Sequence, residues 1–218
     1  DSLPWADPKT MKLVMIVDSG DQPFNGTVVS SRRFARALLS RGHQVHVLAL
    51  AGDTHPVPGV QVHPLPALSV PGISTIMRRM RTFLALPRAG QIRRALAGAD
   101  VLHVQFPFFS GGGAVSVARR LGIPVVSSFH LQAENVLRNL HLPNRIFGPL
   151  VYRLFRRYVF DRSDLVLAPS PFAAALICQL HVGAPVKVLS NGVPEEQLGA
   201  NRHRNVVPPQ IQALCVGR

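Results

Sequence analysis

The chain has 218 residues, 47% of them hydrophobic, which allows one large core and excludes a disordered chain. Its formal net charge is +13, and because only Lys9, Lys12 and Lys187 are lysines, nearly all of the positive charge is arginine; such a surface attracts phosphate on a nucleotide, an anionic lipid or a nucleic acid. No apolar run approaches the roughly 20 residues of a membrane span, DSLPWADPKT lacks the apolar stretch of a secretion signal, and Cys178 and Cys215 have no metal-ligand spacing and read as buried thiols in a reducing compartment.

Lys12–Val17 is a short apolar run with β-branched residues, which predicts a buried strand. Asp18–Asn25 is loop chemistry, and Gly26-Thr27 opens a predicted helix. Ser31, Phe34, Ala35 and Leu38 fall on one face of that helix, with Arg32, Arg33 and Arg36 off it, and Gly42 stands where a C′ glycine belongs. Val45, Val47 and Ala49 alternate in the next strand. The result is a βαβ unit whose helix N-terminus points free N–H groups toward the sheet's carboxyl edge, a place suited to an anion. Gly20–Gly26 matches neither GxGxxG nor GxxxxGK[ST], so the dinucleotide and P-loop readings fail on spacing.

Val60 and Val62 mark a short strand that ends at Pro64–Pro66. Ile73–Leu86 has a helical pattern, with Ile73, Ile76, Met77, Met80 and Leu84 on one side and Arg78, Arg79 and Arg81 elsewhere. It is either a solvated basic face or a surface that docks on an anionic membrane. Gln91–Ala97 is a second short helix and Asp100–Gln105 a strand. The loop FPFFSGGG follows, then a helix over Ala114–Leu121 closed by Gly122. Gly111–Gly113 either admits a ligand close to the backbone or relieves crowding ahead of that helix. Pro124–Phe129 is the next strand, with His130 just past its carboxyl end.

His130–His141 reads as a loop with one helical turn, and Asn144 as the cap of a helix reaching about Phe160. Ile146, Phe147, Leu150, Val151, Leu154, Phe155 and Tyr158 form its apolar face, with Arg153, Arg156 and Arg157 off it. Asp164–Ala168 is a strand. Ser170-Pro171 is an N-cap with proline at N1, opening a helix to about Leu180. Val186–Leu189 is a strand followed by Ser190-Asn191-Gly192-Val193, and Pro194–Gln210 has the polar, aperiodic character of a linker. Ile211–Val216 reads as one more buried strand, which predicts that the chain is a fragment of a longer protein.

This alternation predicts an α/β fold: a Rossmann-like open, mostly parallel sheet with helices on both faces. Its ligands are expected beyond the carboxyl ends of the strands, among the loops Asp18–Gly26, Phe106–Gly113, His130–Asn135, Ser170 and Asn191-Gly192. His130 and Glu134 are the leading polar pair there, as reacting groups or as structural hydrogen-bonders. His103, His43 and His46 read as structural histidines. The histidines show no Ser-His-Asp order and no metal spacing, GxSxG and CxxC are absent, and no metal site is predicted. Aromatics make up 6% and no recognition motif is present, so nucleic acid is not an expected partner.

The segments FNGTVVSSRRFARALLSRGHQVHVL, DVLHVQFPF, GIPVVSSFH, SDLVLAPSPFA and VKVLSNGV resemble, in order and spacing, the N-terminal domain of family 4 glycosyltransferases, the retaining GT-B type. FNGTVVSS and FHLQAEN look closest to the subgroup that glycosylates diacylglycerol or related lipids. The resemblance implies a tail over 1–11, an acceptor-side domain over 12–193, a linker over 194–210 and, in 211–218, the first strand of a donor-side domain. It implies a cleft lined by Asn25, Gly26, Thr27, Glu134, Asn135, Ser170, Asn191 and Gly192. His130 would contact the transferred sugar as the catalytic-site histidine, and Arg218 would be the first basic residue of a diphosphate clamp. The implied partners are a UDP- or GDP-sugar and a lipid or other hydroxyl acceptor, with no cofactor. The implied location is cytoplasmic and peripheral, with Arg78, Arg79 and Arg81 facing an anionic membrane. A non-catalytic basic α/β module that binds anionic membrane or a partner is the alternative.

Overall fold

The protein is described by a computed structural model that covers residues 10–17, 26–52, 57–67, 85–130, 137 and 143–192. In chain order the elements are β1 (Lys12–Ile16), α1 (Gly26–Leu39), β2 (Gln44–Leu50), β3 (Gln61–Leu65), α2 (Ala89–Leu96), β4 (Val101–Val104) and α3 (Phe109–Arg120). They continue with β5 (Val125–Ser128), α4 (Asn144–Tyr158), a 3-10 turn (Phe160–Arg162), β6 (Leu165–Ala168), α5 (Pro171–Gln179) and β7 (Val186–Val188).

The strands form one seven-stranded sheet in the order β3-β2-β1-β4-β5-β6-β7. Every pairing is parallel, with registers such as Leu13↔Val45, Leu13↔Val101 and Val126↔Leu165. Parallel strands need crossovers, and right-handed crossovers put helices on both faces, so the central strands must be apolar on both sides. Val14, Met15 and Ile16 are accordingly buried in succession. Met15, Val45 and Val47 pack with Val28 and Ala35 of α1 on one face. Val14, Ile16, Leu102, Val104 and Val125 pack with residues of α2, α3, α4 and α5 on the other. The chain leaves β1 toward β2 but returns on its other side as β4. That reversal places a switch point, and with it a crevice, beyond the carboxyl ends of β1 and β4.

Local chemistry explains most boundaries. Gly42 and Gly122 close α1 and α3 at φ +80° and +69°, the left-handed conformation of a C′ glycine. β3 ends at Leu65, within the Pro64–Pro66 stretch that marks its end, and Pro64 inside it is tolerated because among the described residues this edge strand pairs only with β2. His43 and His46, read as structural, both have partners within the fold. His43 Nδ1 accepts the Met11 N–H at 3.3 Å, and His46 Nδ1 lies 2.9 Å from His63 Nε2.

Four expectations need correction. The helix predicted over Ile73–Leu86 falls largely outside the described residues. Its end is extended: Ala85 bridges Ala67 antiparallel, and the Leu86 N–H donates to the Pro66 carbonyl at 2.7 Å. Leu86 precedes Pro87, and a residue before proline avoids the helical region. Second, the glycine run is not loop: α3 begins at Phe109 and takes in Gly111–Gly113. A Cβ on Gly111 would stand 2.3 Å from the Phe106 carbonyl oxygen, and one on Gly113 2.4 Å from Pro87 Cβ. The glycines therefore serve close packing of the helix start. Third, Pro143 is the N-cap of α4 and Asn144 its first residue. The buried side of α4 is also narrower than its apolar side: Phe155 is buried, but Ile146, Leu150, Leu154 and Tyr158 are 45–69% exposed. Fourth, Cys178 is exposed, because α5 buries Ala173 and Ile177 and the next residue turns about 100° away. Cys215 lies outside the described residues.

Candidate functional site

His130 is placed at the carboxyl edge by the residue before it. Phe129 is buried, its N–H donates to the Leu167 carbonyl at 2.8 Å, and its ring meets Phe160 edge-on at 5.9 Å. With Phe129 pinned into the core, the chain delivers His130 half-buried just above β5. There His130 Nε2 lies 3.2 Å from Gln105 Oε1, and Gln105 stands directly after β4. The Gln105 amide nitrogen lies 3.2 Å from the His103 ring nitrogens, and His103 Nε2 is 2.8 Å from Ser128 Oγ. Gln105, His103 and Ser128 are all buried. One hydrogen-bonded row therefore joins the ends of β4 and β5 to His130.

Burial lowers the pKa of His130 to about 4. Burial, and then the charge that a protonated His130 would place nearby, lowers that of His103 to about 4. Both imidazoles are neutral at pH 7. A neutral His130 has one ring nitrogen that donates and one that accepts, and the nitrogen not held by Gln105 can meet an uncharged hydroxyl without a cation's desolvation cost.

Helix α1 bounds the same edge. Gly26, Ser30 and Phe34 recur at four-residue spacing and share a face. Phe34 meets the His103 ring edge-on at 5.7 Å. Ser30 Oγ donates to Asn191 Oδ1 at 3.0 Å, and the Arg33 guanidinium donates to the Gly192 carbonyl. Gly192 sits at φ +66°, and its N–H donates to Ser190 Oγ at 3.2 Å, so the turn after β7 is closed on itself and tied to α1. Gly26 is exposed, and among the described residues nothing lies within 4 Å of where its Cβ would be. Among the described residues, packing therefore does not demand a glycine there.

The structure thus brings α1, with Gly26 and Thr27 in its first turn, together with Asn191 and Gly192, and sets the helix against the row that carries His130. Ser170 is occupied by its own helix: its Oγ accepts the Ala173 N–H at 3.2 Å as the N-cap of α5. Asn25, Glu134, Asn135, Arg78, Arg79, Arg81 and Arg218 lie outside the described residues, as do the linker and the strand expected beyond it. Among the described residues no group of three or more His, Cys, Asp or Glu is placed to hold a metal.

Sequence reasoning overlooked Gln105, Ser128, Ser30 and Arg33. Gln105 was visible as an amide ending an otherwise apolar strand two residues after a histidine, a combination that requires buried partners. Ser30 and Arg33 gave no signal, since their partners lie about 160 residues away in sequence.

The family model for Glycosyltransferase Family 4 matches residues 24–197. A GDP-mannose-dependent α-mannosyltransferase of Mycobacterium tuberculosis is 28% identical, over 73% of this chain and 42% of the relative. An α-monoglucosyldiacylglycerol synthase of Streptococcus pneumoniae is 25% identical, over 84% of this chain and 41% of the relative. The chain therefore spans about two-fifths of the length of these curated relatives. In fold it is similar to Anabaena HepE, solved with UDP, at TM-score 0.60 and 15% identity over 84% of this chain and 44% of that one. It is also similar to an Arabidopsis thaliana protein solved with quercetin, at TM-score 0.53 and 15% identity over 88% of this chain and 54% of that one.

Proposed function

This chain belongs to glycosyltransferase family 4, and from that premise we propose that it is the acceptor-side half of a retaining glycosyltransferase that moves a hexose from a UDP- or GDP-sugar to a hydroxyl acceptor, with a membrane lipid as the acceptor class. The observation that carries the reading is the neutral His130, held by Gln105 at the switch-point edge in the row that Phe34 of α1 meets at His103. The curated relatives support it: one is named for GDP-mannose and another for a glucosyl diacylglycerol product.

On this reading the protein supplies no nucleophile. The acceptor hydroxyl attacks the sugar on the face from which the diphosphate leaves, and catalysis consists of positioning and of stabilising the departing charge. His130 hydrogen-bonds a hydroxyl of the transferred sugar. Gly26 keeps the space between donor and acceptor clear, which fits a glycine that packing among the described residues does not require. Asn25, Thr27, Glu134, Asn135, Asn191 and Gly192 line the cleft, and Arg218 begins the diphosphate clamp that the donor-side domain completes. Residues 194–210 link the two domains.

The membrane is met by α4. Its row of exposed Ile146, Leu150, Leu154 and Tyr158 is flanked by Arg145, Arg153 and Arg157, and no acidic residue interrupts the helix. An apolar strip between arginines suits an anionic interface. None of the described helices is long and apolar enough to cross a membrane, and the proposed association is peripheral, on the cytoplasmic face.

The test is a transfer assay on the complete reading frame with UDP- and GDP-hexoses and diacylglycerol, reading the anomeric configuration of the product by NMR. Transfer with retention is expected, and so is the absence of efficient turnover by the 218-residue chain alone. An inverted product, or no transfer to any lipid or soluble hydroxyl acceptor by the complete protein, overturns the reading in favour of a non-catalytic module.

A further inference from the structure

We propose that Gln105 is a positioning residue: its buried side-chain amide, spanning from His103 to His130, holds His130 as the Nε2–H tautomer and leaves Nδ1 as the ring's hydrogen-bond acceptor. The argument starts from what each atom can do. A carbonyl oxygen only accepts, so Gln105 Oε1 at 3.2 Å requires a proton on His130 Nε2. An amide nitrogen only donates, and Gln105 Nε2 stands 3.2 Å from both His103 ring nitrogens, so the lone pair of either can receive it. If Nδ1 supplies that lone pair, His103 carries its proton on Nε2 and donates it to Ser128 Oγ at 2.8 Å. Both His103 nitrogens, both heteroatoms of the Gln105 amide, Ser128 Oγ and His130 Nε2 then have complementary partners, and the proton on His130 is fixed from behind by a residue that is fully buried.

Inverting the amide would set a donor against His130 Nε2, giving His130 an Nδ1–H and a different face to its ligand. Gln105 therefore sets what His130 can offer. With Nδ1 as the acceptor, the preferred ligand group is a hydroxyl that donates. This assignment of role rests on the glycosyltransferase reading above, whereas the tautomer itself does not.

The tautomer can be read directly on this chain by long-range 1H–15N correlation of the histidine rings at pH 7. In the unaltered protein His130 is expected as Nε2–H in at least about tenfold excess. In Gln105→Leu, with the fold checked by circular dichroism, that excess is expected to fall to the modest Nε2–H preference of an unconstrained imidazole. If the leucine variant does not fold, Gln105→Glu substitutes for it: a carboxylate can only accept, so His130 keeps Nε2–H while His103 must turn a proton toward the carboxylate. An Nδ1–H His130 in the unaltered protein, an unchanged tautomer ratio in the leucine variant, or an unchanged His103 in the glutamate variant overturns the proposal. A complete enzyme that transfers no sugar while these spectra come out as expected would overturn the functional reading and leave the positioning role standing.

Discussion

At the scale of single residues, the edge of this sheet depends on two uncharged imidazoles. The pKa values of His103 and His130 fall from 6.5 to about 4 through burial. Between those values the unfolded chain binds protons that the folded chain excludes, so stability falls as pH falls through this window. The thermal midpoint is expected to drop steadily from pH 7 to pH 4.5, and His130→Asn should flatten that slope; a midpoint independent of pH would contradict the assignment. The glycines divide in a similarly testable way. Gly111→Ala drives a Cβ to 2.3 Å from a backbone carbonyl and is expected to cost about 1–3 kcal/mol or more by denaturant titration. Gly26→Ala meets nothing within 4 Å among the described residues and is expected to leave stability within about 0.5 kcal/mol, while lowering transfer by the complete enzyme. Gly26 at a helix start was legible in the sequence, whereas Gly111 reads there as loop ahead of the helix it in fact belongs to. Which of them packing requires was not legible, because that depends on Phe106 and Pro87 arriving from other segments.

At the scale of elements, α1 is the piece that gathers the site. Its Ser30 and Arg33 hold the turn after β7, and its Phe34 backs His103. Arg33→Ala with Ser30→Ala should free that turn, seen as faster amide exchange at Gly192 with little change in global stability; unchanged exchange would mean that the contacts do not hold it. Helix α5 is simpler. Ser170 with Pro171 was readable as a start signal from two adjacent letters, and the bond to Ala173 realises it. Ser170→Ala is expected to cost about 1 kcal/mol. Helix α4 taught the opposite lesson. Its apolar positions form one broad face in the sequence, but periodicity cannot tell how much of a face a neighbour will cover.

At the scale of the whole molecule, a charge of +13 is spread over a fold that leaves an apolar row exposed beside Arg145, Arg153 and Arg157. Sedimentation with vesicles should show binding to phosphatidylglycerol and little to phosphatidylcholine. Leu150→Ser with Leu154→Ser should abolish binding, and each of Arg153→Gln and Arg157→Gln should weaken it roughly fivefold, about 1 kcal/mol per arginine. Binding that ignores lipid charge would remove the membrane from the account.

The sequence by itself determined the α/β class, the order of the elements and the family, because hydrophobic period, capping residues and motif spacing are local and survive in a linear string. It also placed His130 at a strand's end. Only the tertiary structure decided that Gln105, Ser128 and His103 stand behind that histidine and that α1 reaches Asn191. It alone decided, too, that Gly111–Gly113 lie inside a helix and that α4 shows half its apolar face. Each of these depends on contacts between segments far apart in the chain, and distance in sequence carries no signal of closeness in space until the sheet has set its order.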